Sequence, residues 1–221
     1  RARLVSRRTA TINQIRSFLI EQGITVRPRP RALRISLEPI LRQRAEEMSP
    51  RMQALLAGLY EDWHCLDRRI DAVSDEIEAI SKQDEDCRRL MSVPGIGPVI
   101  SSAIVAAVGA GEAFSRGRDF GAWLGLVPRQ FSTGGRTVLG GITKRGSRYL
   151  RMLFVQAARV IMMRKKLWPQ LSFGAWLEQA ATRMNRFKLA VAFANKLARI
   201  AWSVLRRNQA FDAHREAIPA I

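Results

Sequence analysis

Cysteine and histidine are scarce in this chain of 221 residues, with two of each. Cys65 and Cys87 exclude a disulfide framework as the main staple. On a single helix they would lie about 33 Å apart at the usual rise per residue, too far to bridge or to share a metal. His64 falls in a long amphipathic stretch and His214 near the end of the chain. Neither lies near a candidate nucleophile in sequence, so a serine–histidine–aspartate relay finds no support. Long apolar runs are missing too. The longest, Pro98 to Ala110, is too short to span a bilayer and holds Ser101 and Ser102. No signal peptide is visible, so the default location is the cytoplasm and no membrane partner is expected. Carboxylates thin out after residue 88, leaving Glu112, Asp119, Glu178, Asp212 and Glu216. Their spacing does not suggest a two-metal nuclease site, and no metal ligands are assigned in this chain.

What is abundant is positive charge. The chain carries 37 basic and 19 acidic residues, a formal net charge of +18. A surface of that kind repels itself until counter-charge arrives, which predicts a polyanionic partner. The charge is unevenly spread. Residues 1–50 hold 11 basic and 4 acidic side chains, residues 51–88 hold 5 and 10, and residues 89–221 hold 21 and 5. The last block is where nucleic acid is expected. With 47% hydrophobic residues, a packed core is within reach.

The periodicity predicts a mainly α fold. Leu4, Val5, Ile12, Ile15, Leu19 and Ile20 recur at helical spacing over 2–22, and Gly23 closes that helix. Thr25 to Pro30 reads as an extended linker. Leu59, Trp63, Leu66, Ile70, Val73, Ile77 and Ile80 then alternate steps of four and three, the coiled-coil period. That seam suits either packing within the chain or a homo-oligomer. Further helices are expected over 97–108, 117–125, 147–166, 171–183 and 186–207. Between Arg129 and Gly146 the chain is glycine-rich, read as a loop or short β-hairpin with Thr137–Val138–Leu139 as a strand. The organisation expected is 1–37, 38–88 as a coiled-coil arm, and 89–221 as a basic helical domain.

Three motifs carry chemistry. In Val93-Pro94-Gly95-Ile96-Gly97 the glycines permit a tight turn and the next helix offers backbone N–H groups to a phosphate, as in a helix-hairpin-helix. Gly95 and Gly97 are its candidate DNA-binding residues, and a plain structural turn is the alternative. The second motif runs from Pro128 to Arg136 and on from Gly141 to Arg151. It places Ser132 in a glycine-rich segment with Arg129, Arg136, Lys144, Arg145, Arg148 and Arg151, cations that suit a phosphodiester. Lys144, Arg148 and Arg151 are expected to share a helix face. A hydroxyl there can attack covalently or merely hydrogen-bond within a phosphate-holding loop. In the third, Leu189, Phe193, Leu197, Ile200 and Val204 form a core stripe, with Lys188, Asn195, Arg199 and Arg206 opposite.

The ordered set resembles the IS-one-ten family of insertion-sequence transposases, in its IS-eleven-eleven branch. The carriers are Arg8-Thr9, Asn13-Gln14-Ile15-Arg16, Glu21-Gln22-Gly23-Ile24, Val93 to Gly97, Leu124 to Arg129, Ser132 to Gly135, Gly141 to Gly146 and Ala194 to Arg199. The resemblance implies an enzyme with an N-terminal RuvC-like domain holding four carboxylates for Mg2+. A coiled coil would lead from it to a C-terminal domain with a catalytic serine, with DNA and a guiding bridge RNA as partners and a nucleoid-associated place in a bacterial cytoplasm. By position the serine is Ser132, with Thr133 the alternative. Because the chain opens at Arg1 in mid-helix, residues 1–37 are expected to be the end of the RuvC-like domain. The fragment is therefore expected to bind no cofactor and to be inactive alone, or to act as a truncated DNA- or RNA-binding, dimerising module.

Overall fold

The computed structural model describes residues 1–212; His214 and Glu216 lie outside the described residues. Among the described residues are nine α-helices, two short 3-10 helices and one two-stranded antiparallel sheet, so the fold is mainly α. The chain divides into two compact units, Arg1–Glu76 and Ile77–Ile221.

The first unit holds α1 (Ala2–Glu21), α2 (Pro30–Gln43) and most of α3 (Pro50–Gln83). Arg1 reaches Ser74 and Arg8 reaches Asp67, so α1 runs antiparallel to α3 in a constant register. Ile12, Ile15 and Leu19 from α1 share a core with Leu33 and Leu37 from α2 and Leu56 and Trp63 from α3. Helix α2 was not expected. Pro30 starts it at the first helical position, where a missing N–H costs nothing, and Leu33 and Leu37 face inward one turn apart. Pro39, inside the helix, hides the pattern in the sequence. The expected division between residues 37 and 38 falls within α2.

The predicted seam is used unevenly. Trp63 and Ile70 are buried, Ile70 to 3% exposure, while Ile80 stands 52% exposed. Nor does one helix run through residue 88. It stops at Gln83, and Asp84 caps a new helix, α4 (Glu85–Met91), by accepting from the Cys87 amide at 2.7 Å. Cys65 and Cys87 therefore lie on different helices, and the separation expected for a single helix does not apply. Both are free, Cys65 exposed and Cys87 buried. Burial first, and then the Asp84 carboxylate, pushes the Cys87 thiol up to about 11.

In the second unit α5 (Pro98–Val108), α6 (Gly117–Trp123), α7 (Arg148–Met163) and α8 (Gly174–Arg183) pack with α4 around α9 (Arg186–Arg207). Asn185 starts α9 by accepting from the Lys188 amide, and Asn208 ends it in the left-handed region. The buried face of α9 is wider than the expected stripe, because Ala190, Ala194, Ala198 and Ala201 let neighbouring helices close in. Asn195, expected on the outer face, turns inward against Gly121 of α6. No helix among the described residues is long and apolar enough to cross a membrane.

Candidate nucleic-acid interface

The glycine-rich segment is a β-hairpin, β1 (Pro128–Thr133) paired with β2 (Arg136–Ile142). Its turn is the two residues Gly134 and Gly135, both with positive φ, the geometry that matches the twist of a tight hairpin. The hairpin is exposed on both faces. Ser132 thus sits in a strand, two residues before the turn, and not in a loop.

Strand pairing settles which side chains accompany the serine. Ser132 pairs with Thr137 and Gln130 with Leu139, whereas Phe131 pairs with Val138 and Thr133 with Arg136. Successive side chains alternate between faces, so Ser132 and Thr133 point to opposite sides. The Ser132 hydroxyl accepts from the Gln130 side-chain Nε2 at 3.0 Å and lies 3.4 Å from the Thr137 hydroxyl. Gln130 and Thr137 are neighbours that the residue types alone did not single out; period-two alternation was the signal that could have found them. Arg136 is rooted on the Phe131 face. Arg129 joins it, with its Cβ 3.8 Å from where a Gly140 side chain would begin. The two hairpin arginines are therefore rooted opposite Ser132 and do not ring it.

The foot of the hairpin is tightly built. The Thr143 and Lys144 amides donate to the Val127 and Gly125 carbonyls at 2.9 and 3.1 Å. A Cβ on Gly146, which has φ +82°, would collide with the Trp123 carbonyl oxygen. Lys144 itself is left-handed at φ 57°. Helix α7 starts only at Arg148, with Ser147 as its cap, so Lys144 precedes the helix and shares no helical face with Arg148 and Arg151. Arg151 donates to the Leu124 and Arg145 carbonyls at 2.8 and 3.2 Å, which braces this foot. Arg129, Arg136, Lys144, Arg145 and Arg148 are exposed and form no ion pair among the described residues.

The turn between α4 and α5 buries Val93 and Ile96 in the core. Gly95 has φ +86°, and a Cβ there would stand 2.8 Å from Ile161 Cδ1, so its absence lets the turn close on α7. Gly97 caps α5 by backbone alone, with Pro98 next and open space beside it. The Ser92 hydroxyl in this turn accepts from the Phe211 amide at 2.7 Å. On α9, Lys196 lies 4.9 Å from the Trp176 ring centre, and burial, with Arg199 nearby, lowers its pKa. No group of three or more histidine, cysteine, aspartate or glutamate side chains that could hold a metal occurs among the described residues.

Residues 87–173, which include the α4–α5 turn, the hairpin and α7, match the family model described as Transposase IS116/IS110/IS902 family. The chain is also 37% identical to the transposase for insertion sequence element IS1328 of Yersinia enterocolitica, over 95% of this chain and 61% of that protein. It is 37% identical to the transposase for IS1111A of Coxiella burnetii, over 96% of this chain and 58% of that one. These matches support a transposase of the IS116/IS110/IS902 family. It spans about three-fifths of the length of these curated relatives.

Proposed function

We propose that this chain is the DNA-holding, serine-bearing part of an insertion-sequence transposase. The observation that carries the reading is the exposed hairpin. It presents the Ser132 hydroxyl on one face, while Lys144, Arg145 and Arg148 stand at its foot without carboxylate partners among the described residues. Cations so placed hold phosphates and stabilise charge developing on them. In the reaction proposed, Ser132 Oγ attacks a backbone phosphorus. A new serine–phosphate ester forms as the bond from phosphorus to one deoxyribose oxygen breaks, and that oxygen leaves as a hydroxyl. Attack by another DNA hydroxyl reverses the step and rejoins the strand. Gln130 donates to the serine and so does not take its proton; the base belongs to the rest of the enzyme or to the bound substrate. The turn at Gly95 and Gly97 would hold backbone phosphate at the start of α5. Mg2+, a guide RNA and self-association through the remaining length of the seam belong to the same proposal.

The second reading is a module that binds DNA without cutting it. One experiment separates the two. This chain is joined to the additional length of the IS1328 transposase and incubated with end-labelled DNA, and a protein band carrying label through denaturation is sought. The expected result is an adduct that Ser132→Ala abolishes and Thr133→Ala retains, with DNA binding nearly unchanged in both. An adduct lost only in Thr133→Ala moves the nucleophile by one residue. No adduct from any form, with binding intact, leaves the binding module.

A further inference from the structure

We propose that Phe131 is a stacking platform for an unpaired DNA base, on the hairpin face opposite Ser132. This rests on the reading that the hairpin meets DNA, and adds what that second face recognises. Phe131 is 59% exposed and its cross-strand partner Val138 is 50% exposed. A phenyl ring standing in water at the tip of a ribbon gives up most of the stabilisation that burial would provide. Its position is nevertheless defined. Ring atom Cε2 lies 3.3 Å from where a Gly140 Cβ would stand, so the missing side chain leaves a shallow seat against β2 in which one side of the ring rests.

An aromatic ring covering a strand glycine is by itself a device for stabilising a sheet. Two further features point to a nucleotide. Arg129 and Arg136 are rooted on this same face, at either end of the Phe131–Val138 pair. No carboxylate occurs anywhere from Pro128 to Ile142. A planar apolar surface flanked by two cations matches a base with phosphates on either side, and base–aromatic stacking tolerates any sequence. A base within an intact duplex has both faces occupied by its neighbours, so the platform selects DNA that has been opened. The hairpin then stands between two strands, one base resting on Phe131 while the other strand's backbone passes the serine face.

The test compares the full chain with Phe131→Ala, Phe131→Leu and Phe131→Trp on two duplexes of equal length, one fully paired and one with a short unpaired bubble carrying 2-aminopurine. The chain is expected to bind the bubble about tenfold more tightly than the paired duplex and to quench the fluorophore. Alanine and leucine should remove the preference and the quenching while leaving paired-duplex affinity within about twofold, and tryptophan should keep both. Retention of the preference by leucine overturns stacking. Equal binding of both duplexes by the unaltered chain overturns the platform but leaves the proposed function standing. Failure to bind either duplex overturns the proposed function itself. A preference for an RNA bubble alone overturns the choice of DNA. If Phe131→Ala instead lowers the mass seen by light scattering and leaves the bubble preference intact, the face is a protein interface and the proposal falls.

Discussion

Ion-paired arginines occur in both units, and those of the hairpin are not among them. In the first, Arg8 and Arg34 converge on Asp67, Arg42 reaches Glu38, Arg44 reaches Glu47, and Arg16 donates to the Arg27 carbonyl. In the second, Arg88 and Arg89 pair with Glu85 and Asp86 on α4, and Arg206 stands 3.9 Å from Glu112. Arg129, Arg136, Lys144, Arg145 and Arg148, in the hairpin and its foot, have no carboxylate partner among the described residues. Net charge alone would have assigned both basic blocks to a polyanion. Internal pairing separates charge that holds a fold from charge left for a ligand.

The largest effect that tests this contrast is on salt dependence. If about six phosphates are neutralised by the second unit, affinity for duplex DNA should fall by roughly a thousandfold between 50 and 200 mM salt. Replacing Lys144, Arg145 and Arg148 with glutamine should reduce the slope of log affinity against log salt by about 0.9 for each cation removed. Replacing Arg42 and Arg44 should leave the slope unchanged. An equal loss from both sets would erase the distinction between the units.

A second contrast lies within the hairpin segment, between its foot and its tip. Gly146→Ala forces a methyl group into the Trp123 carbonyl at a φ that only glycine adopts readily, and the backbone there has no room to give. The expected cost is about 3 kcal/mol, read as a lower denaturant midpoint for the second unit. Gly134→Ala at the tip meets open space and should cost about 1 kcal/mol through its positive φ alone. Equal costs would mean that the foot relaxes and does not anchor the hairpin.

The same division between paired and unpaired groups explains what the sequence made legible. The mainly helical fold followed from periodicity, and the glycine-rich loop or hairpin from turn chemistry, both of which are local; the family motifs were read by resemblance. Helix α2 escaped because Pro39 interrupts a pattern that tertiary packing of Leu33 and Leu37 restores. The seam through Ile70 could not be assigned to one chain or two, because periodicity says that a face is apolar and not what covers it. In the structure α3 buries Ile70 within a single chain and leaves Ile80 exposed. At the candidate site, residue types gathered Ser132 and its arginines, but faces are set by strand register. Register moved Arg129 and Arg136 to the side away from the serine, and the carbonyl contacts of Arg151 made it a brace.

The smallest effect bears on the pairing at Asp67. Its side chain is 14% exposed and serves two guanidinium groups, Arg8 at 3.1 Å and Arg34. Asp67→Asn keeps the shape and removes the charge. Arg34 remains 5.2 Å from the Trp63 ring centre and keeps that attraction, and both arginines are open enough for water to reach them. The loss should therefore stay near 1 kcal/mol, well short of what a fully buried pair would cost. Unfolding midpoints at low and high salt provide the measurement, since screening should shrink the difference between the two proteins. The informative comparison is with DNA binding. If Arg8 and Arg34 serve only the fold, Asp67→Asn lowers stability and leaves the salt slope of binding untouched. Tighter binding with no loss of stability would instead mean that releasing these arginines gives them to the polyanion, and the first unit would join the second as part of the nucleic-acid surface.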